Sequence, residues 1–453
     1  MVMTTEPPEG RDSADRIEEL LGGDDAAAAA ELFEGMHPAD QADLYDRLDD
    51  PERETMLALL SNESRAELLE HLDEDTLEEI VERMPRVELA RVLDLTKNDI
   101  AADVLRLLPP AEATRILAQM TTAADVTPLL VHPDESAGGL MTRGYVALHK
   151  DMSAGEAVNF LRARKPLAEE AYYLYVLDTG NHLQGVVNLR ELIVSEPETK
   201  IEDVMTREVV SVRPDTDQEE AANLLQHYRL RAIPVVDEYG TLSGIITSDD
   251  IIDVIQEEAT EDIYRMAGLP GDESIFAPVR VSARRRIPWL LVNLVTAFMA
   301  GGMVAIFEGT IAKAAALAVF MPIIAGQGGN AGIQTITIVV RSLALGEIEP
   351  RDANRILNKE IALGVIRGIL FGIIVGIAAL LWKGAWGWGV VVGVAMLLNM
   401  LVAGLLGTLI PLGMKAFRLD PAIASGVFLT TFTDMLGFLF LLGLATLLID
   451  QLT

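Results

Sequence analysis

Cysteine is absent from all 453 residues, so disulfides, thiolate metal sites and thiol nucleophiles are excluded. Histidine is scarce: there are six, the last at His227, so the apolar C-terminal part has no H-E-x-x-H pair and an intramembrane metalloprotease is ruled out. No G-x-x-x-x-G-K-[ST] loop occurs, which argues against a nucleotide hydrolase or an ATP-driven pump, and no enzyme is expected. Basic residues are outnumbered, 36 Lys+Arg against 68 Asp+Glu, for a net charge of −32. A chain so acidic lacks the basic face that nucleic acids need. The opening "MVMTTEPPEGRDSADRIEEL" has no apolar signal-peptide core, so the N-terminal part is expected to stay in the cytoplasm.

The charge is unevenly placed. Residues 1–279 carry −37 and residues 280–453 carry +5. The second part contains five apolar stretches, at 288–307, 314–340, 361–382, 388–413 and 423–449, each near the ~20 residues that a spanning helix needs. Arg280, Arg284, Arg285 and Arg286 precede the first. Arg341, Arg351, Arg355 and Lys359 lie between the second and third, and Lys415 and Arg418 between the fourth and fifth. The alternate loops hold only Lys313 and Lys383, with Trp382, Trp386 and Trp388 as an interfacial belt. This predicts a multi-pass protein of the cytoplasmic membrane with a cytosolic N-terminal part and the C-terminus outside.

The last stretch, "VFLTTFTDMLGFLFLLGLATLLI", carries one carboxylate, Asp434. An acid at that depth costs at least ~2.5 kcal/mol to insert and normally marks an ion path or a protein interior. The second stretch, "LAVFMPIIAGQGGNAGIQTITIVVRSL", is rich in glycine and amides. Its glycines either let helices approach closely or interrupt a helix whose backbone lines a cavity. With "TTFTD" it offers carbonyl, amide, hydroxyl and carboxylate oxygens, the ligands of a hard cation. Arg367 lies close enough to the cytoplasmic end of the third stretch to snorkel.

The acidic part opens with short amphipathic units such as "PADQADLYDRLD", "ESRAELLEHLD", "DTLEEIVERMP" and "NDIAADVLRLLPP". Apolar residues recur every three or four positions, predicting an all-α, solenoid-like domain over 15–132 after a disordered 1–14. From 136 the pattern changes to α/β and occurs twice, about 63 residues apart. Each copy has Met-Thr, a strand, a helix, an apolar strand, a D-x-x-G turn and a further strand, and the duplication resembles a CBS-domain pair over 136–200 and 201–262. After it comes "SDDIIDVIQEEATEDIYRM", an acidic connecting helix within 249–286. Asp250, Asp253, Glu257 and Glu261 are three or four apart, so they share a face and repel one another. A divalent cation would relieve that repulsion.

An acidic helical domain, a CBS pair, an acidic connecting helix and a five-helix membrane domain over 287–453, with Gly-Gly-Asn and a late Asp, resemble the MgtE family of magnesium channels or transporters. The resemblance implies a homodimer in the lipid bilayer with its pore on the two-fold axis, Mg2+ as the permeating ion, and closure when cytosolic Mg2+ is high. It puts the pore acid at Asp434, the adjacent Thr-rich turn at Thr430 and Thr431, and the family's glycine-rich segment at Gly328, Gly329 and Asn330. Its regulatory Mg2+ acids fall on Glu67, Asp99, Asp103, Asp217, Glu219, Asp250, Asp253, Glu258, Glu261, Asp262 and Asp420. Arg190 fits an ATP contact of the family, whereas the family's aromatic neighbour is Leu230 here, leaving ATP open as a regulator. The chain also departs from the family pattern at Ile333, at Gly426-Val427 and at Arg229. One alternative remains on the residues alone: a proton- or sodium-coupled carrier of Mg2+, Co2+ or Mn2+ with Asp434 as the coupling acid.

Overall fold

The computed structural model describes residues 16–452 apart from 18, 22–24, 73, 167–170, 272, 274–278 and 349. The expected disordered segment 1–14 lies outside the described residues. Two compact units divide the chain, residues 1–253 and 254–453.

The first unit begins with short helices of eight to ten residues from Ala26–Glu34 to Pro110–Leu117, among them α1 (Asn98–Arg106). Their ends are set by local chemistry. Asp49 and Glu52 form a capping box, Ser61 accepts from the Ser64 amide, and prolines occupy first-turn positions at 38, 51 and 110. Helices of this length cannot bury a face alone, and each stacks on the next but one, as a solenoid does.

Arginines bind the stack. Arg53 donates to the carbonyls of Tyr45 and Asp46 and reaches Glu79. Arg65 does the same with Leu57, Ala58 and Glu88. Arg86 holds the Val81 carbonyl and Glu112. Each guanidinium satisfies carbonyls left over at a helix C-terminus and pairs with a later helix.

The duplicated α/β part follows with β1 (Val146–His149), α2 (Ala154–Arg164), β2 (Tyr173–Leu177) and β3 (Leu183–Asn188). Its second copy has α3 (Gln218–Tyr228), β4 (Ala232–Val236) and β5 (Leu242–Thr247). β1 pairs with β2 in parallel, β2 with β3 and β4 with β5 antiparallel. The first strand expected in the second copy is reduced to a single parallel bridge, Val212 to Val235. Each Met-Thr segment crosses to the other copy: Thr142 pairs with Ile245, and Thr206 with Val186. Tyr175, Leu177, Leu242 and Ile245 form one core between the copies. The exchange makes the two copies a single body.

α4 (Ser248–Met266) is the acidic helix. The second unit then contains α5 (Val279–Ile306), α6 (Leu317–Ala344), α7 (Ala353–Lys383), α8 (Trp386–Ala416) and α9 (Pro421–Leu447). Among the described residues four helices are long and apolar enough to cross a membrane: α5, α7, α8 and 426–447 within α9. α6 has 28 residues, and Gln327, Asn330, Gln334 and its glycines lower its hydropathy. Of the two readings left open there, close packing of an unbroken helix is the one found. α6 runs unbroken through Gly328-Gly329-Asn330, so those carbonyls accept the helix's own hydrogen bonds.

α7 and α8 form a hairpin in backbone contact. A Cβ placed on Gly372 would lie 2.7 Å from the Gly393 carbonyl oxygen, and one on Gly376 the same distance from that of Gly389. Small residues let membrane helices gain close packing where no hydrophobic effect drives them together. Gly372→Leu is therefore expected to lower the stability of the purified protein by ~1–3 kcal/mol, read as a fall in its thermal midpoint. Gly413→Ala, which meets no atom within 4 Å, should leave the midpoint unchanged.

Candidate functional site

α9 starts where Asp420 caps it, accepting from the Ala422 amide at 2.7 Å, with Pro421 in its first turn. Thr430 donates to the Gly426 and Val427 carbonyls at 3.0 and 3.1 Å, and Thr431 donates to the Val427 carbonyl at 2.7 Å. Their hydroxyl protons point back along the helix, so only their oxygen lone pairs remain to meet a cation. Asp434, one turn beyond Thr430, is half-buried and has no hydrogen-bond or ion-pair partner among the described residues.

α6 packs against α9 through the glycine segment. A Cβ on Gly329 would lie 3.9 Å from Thr430 Cγ2, and one on Gly332 would run into Leu429. Gly328, Gly329 and Gly332 are buried, whereas Asn330, Ile333 and Gln334 are exposed. The three residues expected to act together thus divide. Gly329 borders Thr430, Gly328 is a packing contact, and Asn330 lies on the uncovered face of α6 together with Ile333.

Two polar residues in this body were not singled out from sequence. Asn399 of α8 is fully buried and donates through Nδ2 to the Ile324 carbonyl at 2.8 Å. Glu360 of α7 is buried and accepts from Thr335 Oγ1 at 2.9 Å. Asn399 breaks the apolar run "MLLNMLV", which is the signal that exposed Asp434, whereas Glu360 follows Asn358 and Lys359 and carries no such signal.

The regulatory acids fall in two places. In the first unit, Asp99 lies in the first turn of α1, buried, with Oδ1 unpartnered. Burial and the neighbouring Asp250 push its carboxyl up to about 7. Asp250 is also raised, by burial, although Thr247 Oγ1 donates to it at 2.5 Å. Asp103, half-buried beside Asp134, is pushed up to about 8, and Arg106 reaches both carboxylates at 2.5 Å. Asp217 caps α3 by accepting from the Glu219 amide at 2.9 Å. Glu67 and Asp253 are exposed.

In the second unit, Arg265 pairs with both Glu261 and Asp420. Asp262 is pushed up to about 6 by burial and by the charges of Asp420 and Glu258. Among the described residues no three His, Asp or Glu side chains converge into a ready metal cage.

A cavity of about 610 Å3 opens between the two copies of the duplication, lined by Leu161, Tyr172, Tyr173, Asn188, Leu189 and Arg231. The Arg231 guanidinium sits 5.7 Å over the Tyr172 ring. Arg190 is exposed beside this lining and is not part of it.

Known proteins share this organisation. Family models match over residues 36–135 (MgtE intracellular N domain), 137–196 and 201–257 (CBS domain), and 321–444 (MgtE, divalent cation transporter). The magnesium transporter MgtE of Thermus thermophilus is 35% identical over 96% of this chain and 98% of its own length. The chain belongs to the MgtE family. The Bacillus subtilis magnesium transporter MgtE is 31% identical over 93% of this chain and 94% of its own. A solved cytosolic domain of the Mg2+ channel MgtE in complex with ATP is 39% identical, covering 53% of this chain and 99% of that one, with a TM-score of 0.50. MgtE proteins are membrane transporters and not enzymes, and this chain has the family's helical N domain, CBS pair and apolar helices.

Proposed function

We propose that the protein is a homodimeric Mg2+ channel of the cytoplasmic membrane. The helical domain and CBS pair face the cytosol, the C-terminus lies outside, and the ion passes paired Asp434 carboxylates at the dimer axis. The observation carrying this reading is Asp434 itself, unpaired along α9 beside Thr430 and Gly329. Mg2+ holds octahedral oxygen ligands and sheds water reluctantly. Two carboxylates at one depth suit a hydrated ion, contacted through its waters and screened by size.

Gating follows from the acids of the cytosolic unit. Asp99, buried, and Asp250 repel one another, and Asp103 and Asp134 do so nearer the surface. Mg2+ binding there, and among Glu258, Glu261, Asp262 and Asp420, draws the acidic surfaces together and closes the pore. The exposed Asp253, Asp217 and Glu67, with the half-buried Glu219, extend the same field. ATP is proposed for the cavity at Tyr172 and Arg231, where an aromatic face and a guanidinium suit an adenine nucleotide, with Arg190 at its margin.

The test is patch-clamp current with internal Mg2+ stepped from near zero to ~10 mM, bracketing weak carboxylate sites. A Mg2+ current that shuts at high internal Mg2+ supports the channel. Uptake without resolvable current, accompanied by counter-movement of protons or sodium, replaces it with the coupled carrier.

A further inference from the structure

Asn399 is wedged at a three-helix junction. Its Nδ2 donates to the Ile324 carbonyl of α6, and its Oδ1 is buried with no partner among the described residues. A Cβ on Gly328 of α6 would come within 2.2 Å of the same Nδ2, and one on Gly437 of α9 within 3.0 Å. Both helices therefore close on this one amide through a glycine. Gly328 precedes Gly329, which borders Thr430, and Gly437 lies one turn beyond Asp434.

An unpaired buried acceptor is destabilising, so an apolar side chain of the same branching would serve packing at least as well. What the amide adds is a directed bond from α8 that fixes how far α6 can slide or turn, while Gly437 of α9 closes on the same side chain. We infer that Asn399 is a positioning residue for ion discrimination. It holds the Asn330 face of α6 and Asp434 of α9 in register, so that the site fits one hydrated ion. This rests on the ion path proposed above. Sites that discriminate by size need their groups held within about 0.5 Å, which loosely packed helices do not provide.

The absence of cysteine allows a direct test in the full chain. Gly329→Cys with Thr430→Cys gives an oxidisable pair across α6 and α9, scored by thiol mass-tagging after mild oxidation. In a parallel set without the cysteines, Mg2+ and Ca2+ fluxes are compared in liposomes. Asn399→Leu and Asn399→Ala are each expected to cut crosslinking about threefold and the Mg2+/Ca2+ flux ratio about tenfold, with Asn399→Leu keeping the parent's thermal midpoint. Either readout unchanged in a variant that elutes as folded protein overturns the assignment. If one variant fails to fold, the other decides. A parent chain that passes no Mg2+ sinks the channel proposal instead, and the crosslink still reports whether Asn399 sets the register.

Discussion

Asp434→Asn is expected to reduce Mg2+ current at least 100-fold while leaving expression, elution and thermal midpoint unchanged. The carboxylate has no partner among the described residues, so removing its charge strands none of those groups. The ion loses much more. Unit charges 4 Å apart interact by ~4 kcal/mol at an effective dielectric of ~20, and a divalent ion doubles that figure. Surrendering only ~2.8 kcal/mol of it at the site accounts for a hundredfold loss. Current retained within threefold of the parent would remove Asp434 from the path and return it to a structural role.

The second large effect concerns the sensor. Asp99→Asn with Asp250→Asn is expected to leave current at near-zero internal Mg2+ intact and to abolish its inhibition at ~10 mM, the range of weak carboxylate sites. Asp99 is held near 7 by burial and by Asp250, so it ionises in the folded protein only against resistance. Two amides leave no carboxylate pair for the ion to bridge, so Mg2+ cannot draw the two segments together there. Limited proteolysis of the full chain should show the mutant protected to the same degree with and without Mg2+, while the parent gains protection as Mg2+ is added. Turning a gate from 1:99 to 99:1 takes ~5.5 kcal/mol of differential binding, so losing one strongly coupled site moves the midpoint visibly. Inhibition that persists at the parental midpoint would place the sensor elsewhere among the acids.

Much of this was legible because it is written in local patterns. The three-and-four spacing of "PADQADLYDRLD" and its neighbours requires a helix face, and helices so short must stack. The duplication announces itself by the same Met-Thr, strand and turn signals occurring twice. Asp434 and the arginine-rich loops stand out against lipid-compatible surroundings, since charge is costly there wherever the helix packs.

The tertiary structure alone decided which side of each helix meets which neighbour. Gly-Gly-Asn reads equally as a break or as a packing seam. It became a seam because Thr430 and Asn399 press against it from helices that begin some 60 to 90 residues further along the chain. Asn399 in its apolar run and Glu360 at the end of a polar stretch acquire their partners only from folding, which brings the Ile324 carbonyl and the Thr335 hydroxyl to them. Asp99 and Asp250, 151 positions apart, are ordinary acids until burial sets one beside the other. Periodicity and charge are properties of neighbouring residues and survive in the sequence. The partner of a buried polar atom is a property of the packed chain, because its identity depends on which distant segment excludes water from it.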